Sequence, residues 1–455
     1  MSAARLTLCL ALSVPALSAC DSDDPTPGSD LDLRGGKKNK PPKFNTGTDN
    51  VHLERSVRFN PIVPGTDADN GRAVFGSAVD EINEDTTNAL FEGDSLTAQG
   101  TIVSNGRTCF TCHRGDPLDW GLPAPPLSAT IAATDALFTG IDADAQGDPD
   151  AAFNLDQLAL FKIRPNRFNP TRADDDPFRR VFGWRKSPQL TNVGLSHGML
   201  TDLRGRTMFE VARGAVFAHT QPDDARFDDL FSQQDGDDIA AFLFGQVSDP
   251  VLSALRDRSD PMHDVLVDDP FFTVPISTNK EHKGKKVFEK YCLACHDTPG
   301  VFNNLANVEP LGNGDRPTSF PPFAPGIGRT FNVGVSEANV HGLRFSHDEG
   351  NGTFSPIVLP LAAEDGTLVE FVVDRDVGLA ATTGRHEDIG RFKVPALRNL
   401  AAHAPFFHDN SAATIEEVVD FFCSDAYNDS ADGQHYPIHL NAVQRSRLIA
   451  LLYLL

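Results

Sequence analysis

Methionine and tryptophan are nearly missing from this chain, with four and two copies in 455 residues. The methionines stand at 1, 199, 208 and 262, so nothing after residue 262 offers a thioether. Cysteine is also scarce, at seven, too few for a scaffold built on disulfides. Positive charge is short: 40 Lys and Arg face 63 Asp and Glu, a net charge of −23. That balance disfavours nucleic acid as a partner and favours cationic ones, or serves solubility alone. Beyond the first twenty residues no run of ~20 apolar residues occurs, which excludes a later α-helical membrane span.

The first residues read MSAARLTLCLALSVPALSAC. One Arg, an apolar run and then small residues form a secretory signal pattern. Its end, Leu17-Ser18-Ala19-Cys20, resembles the bacterial lipobox, which implies cleavage at 1–19 and lipid on Cys20; ordinary cleavage nearby is the alternative. Residues 20–55 lack apolar periodicity and are rich in Pro, Gly, Asp and Lys, which reads as a flexible tether.

Four of the seven cysteines fall into two boxes, Cys109-Phe-Thr-Cys112-His113 and Cys292-Leu-Ala-Cys295-His296. Cys-x-x-Cys-His is the attachment signature of c-type haem. Two thiols add across the two vinyl groups of one porphyrin, and the adjacent His ligates the iron. A redox pair or half a zinc site would not need the trailing His twice. Two covalent haems are therefore expected, with His113 and His296 as proximal iron ligands.

The stretch leading into the second box carries Val287, Phe288 and Tyr291 at helical spacing, predicting a helix from near Lys283. Gly284-Lys-Lys-Val-Phe288 has an echo in Gly71-Arg-Ala-Val-Phe75. Apolar helices are expected to close each half at 237–247 and 443–455. The chain thus reads as an internal duplication: an N-terminal haem domain over 56–250, a Pro/Asp-rich linker over 251–274 and a C-terminal haem domain over 275–455. The expected fold is mainly α, two class I cytochrome c-like domains in tandem with long loops and few strands.

Residues 390–422 add a more specific pattern: Phe392, Val394, Pro395, Leu397, Arg398 and Asn399, then Ala404 to Asp409, then Glu416 and Glu417. This resembles the bacterial di-haem cytochrome c peroxidases, whose relatives include the enzyme that matures methylamine dehydrogenase. In the first half, 184–194 and 203–216 resemble the same family. The resemblance implies that peroxide reacts at the first haem, and that the second stores or relays an electron received from a small cytochrome or copper protein.

By the same resemblance Glu210 is the candidate acid–base group, because it follows Gly205-Arg206; an exposed helical Glu is the alternative. Arg206 would stabilise a developing anion or pair with a haem propionate. The family's sixth-ligand Met matches Phe422 here, which cannot ligate. That leaves an open second haem, or His403, His408, Tyr427, His435 or His439 as ligand. The loop after the first box has no His, which implies an open first haem; His197 and His219 are more distant candidates. Trp120 and Trp184 read as inter-haem bridges or as packed aromatics. Relatives hold Ca²⁺ between the domains, partly on backbone carbonyls matching His403 to Pro405. The acidic run 141–150 reads as half an EF-hand loop or as a solvated loop.

Three functions remain open on sequence alone. The first is a peroxide-reducing di-haem enzyme that is exported to the periplasmic side and lipid-anchored. The second is a di-haem oxidase of a protein or organic substrate, and the third an anchored electron carrier.

Overall fold

The computed structural model describes residues 65–76, 105, 107–114, 121–140, 142, 144–165, 180–196, 199–205, 207–219, 231–257, 259–296, 301–302 and 330–455. The signal, the tether, Cys20, Trp120, His197 and Arg206 lie outside them.

The duplicated sequence builds a duplicated frame. In the first half a leading helix, Asp67–Gly76, crosses a closing helix, Gln233–Phe244. In the second half Asn279–Tyr291 crosses Ala442–Leu452. Glycine sits at both crossings because nothing larger fits. A Cβ on Gly71 would stand 1.8 Å from the Asp238 carbonyl oxygen, and one on Gly284 2.2 Å from that of Arg447. One turn on, Phe75 and Phe288 are buried in their respective cores. The helix before the second box begins at Asn279 rather than near Lys283, because Thr278 and Glu281 form a capping box. Capping boxes on Ser232/Asp235 and Asn441/Gln444 likewise fix the starts of the closing helices.

The Pro/Asp-rich connection is helical and packed. Its two Asp-Pro steps are helix starts rather than loop signals: Asp249 accepts from the Val251 N–H and Asp260 from that of Met262, each with Pro at the first helical turn. Leu252, Leu255 and Leu266 bury their side chains against Leu195, Val247 and Val301.

Among the described residues, strands form three small antiparallel sheets. β1 (Leu160–Ile163) pairs β2 (Gly183–Lys186), and β3 (Thr330–Phe331) pairs β7 (Phe392–Lys393). β4 (Ser346–Asp348), β5 (Phe354–Ala362) and β6 (Leu368–Val373) form a three-stranded sheet in the second half. In β5, Ile357, Leu359 and Leu361 alternate inward while Val358 faces out. They pack on Leu160, Phe182 and Trp184 of the first half, so this sheet helps join the halves.

The repeat extends into backbone detail. Asn192 and Asn399 both take left-handed φ (64° and 59°), and each is followed by a 3-10 turn. Each donates its N–H to the end of its own closing segment, Gln246 O and Leu455 O. Left-handed Leu200 and Leu203 sit inside the bridge Met199–Gly205, as Phe407 and Asn410 sit inside Phe406–Ala412. The left-handed residues and the bridges are offset by the same 207 positions, as 192 to 399 and 199 to 406 show, and the two closing acceptors, Gln246 and Leu455, by 209.

Contacts across the seam obey the same offset and are reciprocal. The Lys186 N–H donates to His408 O, and the Lys393 N–H donates to Thr201 O, at 2.8 and 2.7 Å. A residue i that meets j while its counterpart of j meets its counterpart of i is the signature of a two-fold relation, here between two halves of one chain.

Candidate functional site

Each box sits beside its own leading helix. Cys109–Cys112 is a single helical turn that begins after Thr108, whose N–H donates to the Thr111 hydroxyl. Cys109 packs against the core of Phe75 and Phe242, and Cys112 against that of Leu127, Leu137 and Phe161. Cys292 packs into the second core with Phe288 and Phe302. The ring centroids of Phe75 and His113 are 6.2 Å apart, and those of Phe288 and His296 6.4 Å. The frame therefore presents the two histidines alike.

None of the four box cysteines is in a disulfide. Burial pushes the Cys109 and Cys292 thiols up to about 12, Cys295 to about 12 and Cys112 to about 11. Half-buried, outside any disulfide and held as neutral thiols, they suit thioether formation better than thiolate metal binding. Burial pushes His296 down to about 4, so its imidazole is neutral, as an iron ligand must be. Its Nδ1 lies 2.7 Å from Phe302 O, which fixes the ring and leaves Nε2 for the metal. His113 has Nδ1 3.1 Å from the Ser187 hydroxyl, beside the seam residue Lys186. These surroundings fit a haem c at each box.

The middle helices distinguish the two sites. Met208–His219 in the first half corresponds to Ile415–Cys423 in the second, each beginning with Thr-x-x-Glu. The Glu210 N–H donates to Thr207 Oγ1 at 3.1 Å, as the Glu417 N–H does to Thr414 Oγ1 at 3.2 Å. Glu210 is thus exposed at the start of a helix that packs on the first core, in a capping position. The three-residue spacing of Thr207 and Glu210 was readable in the sequence as a capping signal.

In the second half Phe407, Phe421, Phe422 and Tyr427 stack edge to face around the haem box core. At the same 207-residue offset the first half has Gly214 for Phe421 and Ala215 for Phe422. Two phenyl rings of the second middle helix are thus replaced by small residues at the equivalent positions of the first.

Of the proposed sixth ligands, Tyr427 lies near the second box: burial raises its phenol, and the charges of Cys295 and Cys292 add to that. Its hydroxyl donates to Tyr436 O at 2.8 Å. His408 instead stacks on Phe392 at 3.9 Å, with Ser336 at 3.4 Å. His403 is buried near the seam, while His435 and His439 are exposed. His219 is held by Asp142 at 2.7 Å, and Asp142 also binds Arg107 at 2.9 Å. Trp184 is buried across the seam, where its indole N–H donates to Arg344 O at 3.2 Å.

Neither calcium reading fits the residues present. In the acidic run, Asp142 serves Arg107 and His219, Asp144 is buried and accepts the Arg164 N–H, Asp148 pairs with Lys162 and Asp150 with Arg344. This is a segment tied down by the protein's own donors, not a solvated loop. Between the halves, the carbonyls of His403 and Pro405 both receive the Lys186 ammonium. Among the described residues no group of three or more His, Cys, Asp and Glu is placed to hold a metal ion, and no helix is long and apolar enough to cross a membrane.

No family model matches the chain. Cytochrome-c peroxidase IdrP1 of Denitromonas iodatirespirans is 41% identical over 49 residues, 11% of this chain and 13% of that protein. Its namesake from a Pseudomonas species is 32% identical over 76 residues, 16% and 20%. Cytochrome c551 peroxidase of Nitrosomonas europaea is 46% identical over 43 residues, 10% and 13%. The chain therefore spans a fifth or less of the length of these curated relatives. Among solved structures, a MauG-like protein associated with microbial copper homeostasis superposes with a TM-score of 0.43 at 17% identity, covering 88% of this chain and 92% of that one. The diheme peroxidase BthA from Burkholderia thailandensis gives 0.40 at 15%, covering 87% and 86%.

Proposed function

We propose that the chain, a relative of the bacterial di-haem cytochrome c peroxidases, reduces hydrogen peroxide to water with electrons from a small cytochrome or copper protein. The observation that carries this reading is the difference between two otherwise equivalent sites. The second box is packed round by Phe407, Phe421, Phe422 and Tyr427, whereas the first has Gly214 and Ala215 at the positions of two of those rings. A substrate with two oxygen atoms needs room at one iron, and a relay site needs none.

Cys109, Cys112 and His113 would hold the first haem, and Cys292, Cys295 and His296 the second. Haem c supplies one-electron redox chemistry and activates peroxide. Ser187 and the Phe302 carbonyl orient the two histidine rings. Glu210 moves a proton between the peroxide oxygens, and Arg206 neutralises a propionate or the developing anion. Export and lipid attachment at Cys20 place the enzyme on the periplasmic side of a membrane.

The test is the absorption spectrum of purified ferric protein before and after peroxide, followed by turnover with a reduced small cytochrome. A high-spin component that peroxide removes, with donor oxidation, is expected. Two low-spin irons indifferent to peroxide would leave an electron carrier. Reaction with peroxide but no oxidation of any such donor would leave an oxidase of another substrate.

A further inference from the structure

We infer that the Lys186 ammonium is the built-in cation of the junction between the two halves, standing where the resemblance places a calcium ion, so that the junction needs no divalent metal. Lys186 Nζ lies 2.5 Å from Pro405 O and 3.3 Å from His403 O, carbonyls of the opposite half. Its backbone N–H donates to His408 O in the same segment at 2.8 Å. One residue therefore clamps 403–408 from both its main chain and its side chain.

Calcium takes six to eight oxygens in one shell, drawn from carboxylates, carbonyls and waters, and here the two carbonyls already hold an ammonium. The carboxylates around this seam are already used. Asp376 takes both Nε and Nη2 of Arg185, at 2.6 and 2.8 Å. Asp202 takes Arg185 Nη1 at 2.7 Å and Arg204 Nη1 at 2.6 Å. Asp409 accepts the Ser411 N–H. A doubly charged ion on the Pro405 carbonyl would meet the Lys186 ammonium and the buried guanidinium of Arg185, whose carboxylate partners Asp376 and Asp202 are already engaged.

The seam repeats the device. Lys393, the counterpart of Lys186, donates its N–H to Thr201 O and lies with Nζ 3.3 Å from Ser196 Oγ. Ser196 and Thr201 are the counterparts of His403 and His408 at the same 207-residue offset. A lysine at this place is thus part of the two-fold frame, not a surface side chain that happens to reach inward. Lys186 meets two carbonyls of the opposite half beside Ser187 and His113, and Lys393 meets the Ser196 hydroxyl.

The haem-loaded protein, dialysed against chelator, should contain no stoichiometric calcium by elemental analysis. Its melting temperature and haem absorption should be the same in calcium and in chelator. Lys186→Met keeps the aliphatic stem and removes the charge; it should lower the melting temperature by about 5 °C. One calcium ion per chain surviving dialysis, or a chelator-induced fall in melting temperature, overturns the inference. So does a Lys186→Met variant that melts like the parent, since the ammonium would then be idle.

Discussion

At the scale of single residues, Glu210 carries two roles that a substitution can separate. As the third residue of a capped helix it accompanies Thr207, and loss of that hydroxyl in Thr207→Ala should cost about 1 kcal/mol of stability with turnover little changed. As a proton carrier it should lower peroxide turnover by about 10²–10⁴-fold in Glu210→Gln, with a melting temperature near that of the parent. Equal turnover in the two variants would leave Glu210 a cap alone. The box cysteines make a simpler case. Cys292→Ala with Cys295→Ala should give an intact mass carrying one macrocycle instead of two, while the first haem remains. Tyr427 lies beside the second box, so Tyr427→Phe should shift the absorption of the second haem and leave the first unchanged. No shift in either haem would place the phenol away from the iron.

At the scale of elements, the helix crossings decide how closely each box can sit against its core. The glycines at 71 and 284 allow backbone contact, which in turn brings Phe75 and Phe288 under the two histidines. Gly284→Ala should therefore force the Asn279–Tyr291 and Ala442–Leu452 helices apart. About 1–3 kcal/mol is expected to be lost, measured as a lower midpoint in denaturant. Gly71→Ala should do the same in the first half. The Gly-x-x-x-Phe echo was legible as a repeat, because helical periodicity writes itself into local sequence. Its meaning as a crossing point was not, since it depends on Asp238 and Arg447, which lie more than a hundred residues further along. The Pro/Asp-rich composition of the connection did not say whether it is helical: the same Asp-Pro step starts a helix or breaks one, and packing by Leu252, Leu255 and Leu266 chooses.

At the scale of the molecule, the seam is held by the buried charge chain Arg204–Asp202–Arg185–Asp376. Arg185→Leu would leave Asp376 bare and Asp202 half-paired, and should cost about 3–5 kcal/mol, read by thermal or denaturant unfolding. The pH dependence follows from the same groups. Burial would raise the Asp202 carboxyl, but the Arg204 and Arg185 guanidiniums overcome this and hold it down at about 2. Asp376 is likewise lowered, with Arg185 outweighing burial. A carboxyl depressed in the folded state contributes stability that is complete above its unfolded value, near 3.8. That stability is lost as pH falls from there toward 2. The parent should therefore lose stability steeply below pH 4, and Arg185→Leu should show a shallower acid limb.

The sequence by itself carried the motif on which the proposed attachment rests, because Cys-x-x-Cys-His is a local constellation in which adjacent residues do one job. It also determined the duplication, since each half repeats the same apolar spacing. The tertiary structure alone decided the relation between the halves. Reciprocal hydrogen bonds from Lys186 and Lys393, the sealed ion chain at Arg185, and the exchange of two phenyl rings for Gly214 and Ala215 all join residues far apart in the chain. Pairings of that kind are fixed by how two cores meet, and no local pattern encodes them.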